Sequence, residues 1–78
     1  MIYTLTFLAR RFRYAIAKLT DQDGNVTEFR AANKHEARCR VYRHLSGKPA
    51  TVYTDDLATL SKTAMRNKPR NIEVRRLD

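Results

Sequence analysis

A chain of 78 residues has room for one domain with one modest core, because a chain this size buries only about 60 to 65% of its unfolded surface. With 42% hydrophobic and 31% charged residues, and only two Gly and two Pro, the composition is that of a folded chain and excludes disordered and collagen-like classes. Sixteen Lys and Arg against eight Asp and Glu leave a net charge of +8 and a pI of about 10.3, a property that speaks about partners and not about fold.

The N-terminus, MIYTLTFLARRFR, puts its apolar run before its arginines, the reverse of a secretory signal, and no apolar run approaches a membrane span. Cys39 is the sole cysteine and has no internal partner for a disulfide, which fits a reducing compartment. The expectation is a cytoplasmic protein, a single small basic domain over residues 1–78, with no membrane among its partners.

Along the chain, Tyr3, Leu5 and Phe7 alternate with Thr4 and Thr6 as a half-buried strand does. A competing pattern, Leu5, Leu8, Phe12, Ile16 and Leu19 spaced by three and four, would make residues 4–19 one amphipathic helix able to lie on an anionic membrane. The strand reading is preferred, with a turn or bend at Ala9, Arg10 and Arg11. From Phe12 a second strand follows, with Phe12, Tyr14 and Ile16 predicted to face the core and Arg11, Arg13, Ala15 and Ala17 to form a wet, basic face. The run Asp21–Gln22–Asp23–Gly24–Asn25 is a hairpin signal, since glycine supplies the positive φ the turn needs. Val26 to Ala31 returns as the partner strand, with Phe29 its main core contact.

Asn33 and Glu36 have capping-box spacing, so a helix begins there. It should end at Leu45 or Ser46, with Gly47 as the left-handed residue after it and Pro49 blocking continuation. Ala37, Val41 and Leu45, with Tyr42 at the edge, make its apolar stripe. Arg40, Arg43, His44 and Glu36 lie opposite, and Arg38 flanks the stripe, able to lay its stem along it. Ala50 to Thr54 reads as a short strand. Thr54 or Asp55 should cap a second helix, with Asp55 and Asp56 at its positive end and Leu57, Leu60 and Ala64 buried. The tail from Asn71 to Leu77 alternates as a last strand, Ile72 and Val74 inward. The predicted fold is α+β, a small antiparallel sheet of N-terminal β-hairpins packed by two helices, in the order β-β-β-α-β-α-β.

Chemistry-bearing motifs are sparse. His35 and Cys39 share a helix face, but a structural zinc needs four donors, and His44 lies far round the helix. Cys39 stands between Arg38 and Arg40 without an evident base and orienting group around it, and the adjacent Asp55 and Asp56 are accounted for as helix-start charges. No glycine-rich phosphate loop or nucleophile elbow is present. No enzyme activity, cofactor, metal or small-molecule substrate is therefore expected.

What remains is the basic set: Arg10, Arg11, Arg13 and Lys18 on the first strands, Arg38, Arg40 and Arg43 on the first helix, and Lys62, Arg66, Lys68, Arg70, Arg75 and Arg76 near the C-terminus. Eleven of the sixteen cations are arginine, whose planar fork suits phosphate and carboxylate better than an ammonium does. The partners expected are nucleic acid, DNA or RNA, or an acidic protein surface. The function expected is a non-enzymatic nucleic-acid-binding module contacting mainly phosphates through Arg10, Arg11, Arg13, Lys18, Arg38, Arg40 and Arg43. The alternative is a small adaptor or inhibitor, of phage or mobile-element type, docking its basic face on an acidic host protein. In layout, three strands and a capped helix over about residues 1–47 resemble the small DNA-binding domains that lay a sheet in the major groove, such as the plant APETALA type and some integrase arm-binding domains. EFRAANKHEARCRVY is loosely similar to the strand-to-helix junction of the former. That family's glycine and tryptophan pattern is missing here, and no functional residue is carried over.

Overall fold

The computed structural model describes residues 1–9 and 13–77. Its elements follow the predicted order: β1 (Ile2–Ala9), β2 (Ala15–Thr20), β3 (Val26–Ala31), α1 (Lys34–His44), β4 (Ala50–Thr54), α2 (Lys62–Asn67) and β5 (Ile72–Arg76). The five strands form one sheet in the order β3-β2-β1-β4-β5. β1, β2 and β3 make an antiparallel meander, whereas β4 joins β1 and β5 joins β4 in parallel, so the sheet is mixed. Residues 1–47 are thus not a free-standing three-stranded unit, because β1 lies at the centre with β4 on its other side. Residues 4–19 contain two strands, and the helical reading, with its membrane-surface consequence, falls. Among the described residues no helix is long and apolar enough to cross a membrane.

Local chemistry explains the turns. Gly24 takes φ 88°, the Asp21 amide donates to the Asn25 carbonyl at 3.0 Å, and the Asp21 carboxylate accepts from the amides of Asp23 and Asn25, each at 2.9 Å. Asn33 Oδ1 accepts from the Glu36 amide at 2.8 Å, the predicted cap. Gly47, at φ 83°, turns the chain away three residues past the end of α1.

One face of the sheet carries the core. Leu5, Ala17, Leu19, Ala31, Val52, Ile72 and Val74 lie buried beneath Ala37, Val41, Tyr42 and Leu45 of α1, with Tyr3, Phe7, Phe29, Leu60 and Met65 packed around them. Here the orientation predicted for β2 is reversed: Ala15 and Ala17 face the core, and Tyr14 and Ile16 lie on the other side, half-buried. The register supplies the reason. Ala17 pairs with Phe7 on β1 and Phe29 on β3, so the small residue sits between two rings on the face that α1 covers. A larger side chain there would hold the helix off the sheet. The bend expected at Arg10 and Arg11, like the inward orientation of Phe12, lies outside the described residues.

The second helix is shorter than predicted. It starts at Lys62, capped by Ser61, whose hydroxyl accepts from the Ala64 amide at 3.2 Å. Leu57, expected in a buried stripe, is 73% exposed, and Thr59 is fully buried in its place. Asp56 is consequently no helix-start charge: its carboxylate accepts from the Thr59 amide at 3.0 Å and the Thr59 hydroxyl at 2.7 Å. A short polar side chain that satisfies nearby backbone favours a turn over a helix, and this turn delays α2.

Candidate nucleic-acid interface

The basic residues singled out in the sequence do not form one surface. Arg10 and Arg11 lie outside the described residues. Arg13 is exposed, at φ 72°, just before β2. Lys18 stands on the open sheet face with its Nζ 3.7 Å from Glu28, an exposed pair that stabilises little. Arg38 is not on a surface at all: it is 8% exposed, donates from Nε to Thr59 Oγ1 at 2.8 Å, and holds a terminal nitrogen 3.8 Å from Asp56. Its aliphatic stem, one position off the apolar stripe, draws the guanidinium under the segment that precedes α2. Lys34 pairs with the same carboxylate. Burial by itself would raise the Asp56 carboxyl's pKa, yet the hydrogen bonds from Lys34 and Thr59 outweigh it and hold the group below its ordinary value.

Arg40 and Arg43 do point outward, as predicted. With Phe29 and His44 they line an open cleft between α1 and β3, the His44 ring meeting Phe29 edge-on at 5.2 Å between centroids. Among the described residues neither arginine has an acidic partner within 4.0 Å. Sequence reasoning missed Arg30, which lies at the same edge on the sheet's other face, its guanidinium 4.3 Å from the centroid of Tyr14. The signal was available: alternation through β3 sets Arg30 opposite in sense to Phe29, and the register pairs it with Ile16.

β3 therefore forms a free edge of the sheet with exposed arginines on both sides, Arg40 and Arg43 toward the helix and Arg30 toward the open face. Among the described residues that open face carries no helix. Its cross-strand row Val26–Thr20–Thr4–Tyr53–Arg75 is mixed in character, and the Arg75 Nε donates to Glu73 at 2.8 Å, so charge there is partly answered internally. On the helical side, the Cys39 thiol lies 3.8 Å from His35 Nε2, one turn away on α1. Among the described residues no group of three or more His, Cys, Asp or Glu could hold a metal ion. No family model matches the chain, and no curated protein or solved structure is significantly similar to it.

Proposed function

We propose that this protein is a non-enzymatic nucleic-acid-binding module that holds phosphates along the β3 edge, with Arg40 and Arg43 on the helical side and Arg30 toward the open sheet face. The observation that carries the reading is the pair Arg40 and Arg43, exposed and, among the described residues, without an acidic partner, beside the half-buried ring of Phe29. Uncompensated guanidinium groups on a +8 chain attract a polyphosphate by counterion release, giving affinity with little dependence on base sequence. The reading goes with a cytoplasmic location, where Cys39 stays a thiol.

Fluorescence anisotropy with labelled duplex DNA, single-stranded DNA and RNA tests it. Binding by at least one of them at micromolar protein in about 50 mM salt is expected. Failure of all three would end this reading.

A second reading, an adaptor docking on an acidic host protein, draws on the same edge: β3 has unpaired backbone groups along one side and Val26 is 55% exposed. An extended acidic segment could add there as a further strand, its carboxylates meeting Arg30, Arg40 and Arg43. A lysate pull-down with and without nuclease separates the two: material lost on nuclease treatment supports the first, and one acidic protein retained supports the second.

A further inference from the structure

On the flank of α1 opposite Arg40 and Arg43, a half-enclosed cavity of about 380 Å³ opens between the helix and residues 58–67. Lys34, Arg38, Cys39 and Tyr42 form its helical wall, and Ala58 and Ala64 are among the small side chains facing them. Its volume falls within the range of small-ligand sites.

Two groups in it are incompletely used. The Tyr42 hydroxyl is buried and has no hydrogen-bond partner among the described residues, and Tyr42 as a whole is 8% exposed. Buried hydroxyls are nearly always paired, so this one stands out. Burial pushes its phenol pKa up, while the nearby Arg38 charge pulls it back. One turn away on the same helix, Arg38 commits Nε to Thr59, but its contact to Asp56, at 3.8 Å, is beyond hydrogen-bond reach. The planar fork therefore retains donors. Lys34 and Arg38 together answer one carboxylate, Asp56, so the wall keeps a net positive charge.

From this we infer that the cavity is a binding site for a small hydrophobic monocarboxylate, its apolar body against Ala58 and Ala64 and its carboxylate on the Arg38 guanidinium, with the Tyr42 ring shifting to bring its hydroxyl, closed off in the free protein, onto the same carboxylate. A carboxylate accepts from a fork and a phenol at once. Free phosphate is too strongly hydrated for walls of this character, and an uncharged analogue would leave the excess positive charge unanswered.

The test is a titration of sodium benzoate into isotope-labelled protein at constant ionic strength, followed by backbone amide NMR. Saturable shifts at His35, Cys39, Ala58 and Ala64 are expected with a Kd of about 1 mM, a plausible affinity for so few atoms. Benzyl alcohol, the same ring without the charge, should bind about tenfold more weakly, and Tyr42→Phe should weaken benzoate by a similar factor. Without benzoate, Tyr42→Phe should keep or raise the thermal midpoint, because the hydroxyl it removes has no partner. Arg40→Ala and Arg43→Ala should leave the titration unchanged. Equal binding of benzyl alcohol, wild-type benzoate affinity in Tyr42→Phe, a lowered midpoint in that variant, or linear shifts spread over the surface arginines would each overturn the assignment.

Discussion

Arg38 and Thr59, 21 positions apart in the chain, are joined by a buried hydrogen bond of 2.8 Å that ties α1 to the segment before α2. Both residues are buried, and both also engage Asp56, so the three form a polar cluster beside the hydrophobic core. Removing one member leaves the others desolvated and short of partners. Arg38→Ala should cost about 2 kcal/mol or more, and Thr59→Val about 1 to 2 kcal/mol, in denaturant unfolding. An Arg38→Ala protein with an unchanged midpoint would mean that its guanidinium is solvated and free, as a surface contact would be.

The same cluster sets an acid limit on stability. Asp56 has a lowered pKa in the fold, so it is the stronger acid there and the unfolded chain takes up the proton first as pH falls. Its contribution is fully present above the unfolded value of about 3.9 and disappears as pH drops through the lower folded value. Chemical denaturation between pH 7 and pH 2 should therefore show a loss of stability beginning near pH 4 that Asp56→Asn reduces. An identical pH profile in that variant would assign the acid loss to other carboxylates.

Orientation of β2 has its own check. Ala17→Leu should destabilise by about 1 to 3 kcal/mol through overpacking between Phe7 and Phe29. Ile16→Ala, on the open face, should cost less than Ile→Ala in a core, where 2 kcal/mol or more is usual. The opposite ranking in thermal melts would restore the arrangement with Ile16 inward.

For the phosphate-binding edge, the expected signature is in the salt dependence. Log affinity for duplex DNA should fall linearly with log salt, and Arg30→Ala, Arg40→Ala and Arg43→Ala should each weaken unrelated sequences alike and flatten the slope by about one unit. A protein partner would behave differently: one or two arginines would cost about 2 kcal/mol or more while the rest stayed nearly silent.

Sequence by itself determined what local chemistry controls. The Asp21–Asn25 hairpin, the Asn33 cap, the stop at Gly47, the stripe of Ala37, Val41 and Leu45, and the alternation of Ile72 and Val74 all follow from interactions within a few residues, and the structure has them. The exposure of Arg40 and Arg43 was legible for the same reason, since a helical wheel places them opposite that stripe. Tertiary structure alone decided which face of β2 is covered, because alternation specifies two faces without saying which one meets the helix, and Ala17 depends on rings from two other strands. It also decided that Arg38 is buried, through Thr59 and Asp56, groups distant from it in the chain, whereas the turn that Asp56 closes on Thr59 is a local alternative to a helix start, one that the preference of acidic residues for helix starts conceals in the sequence.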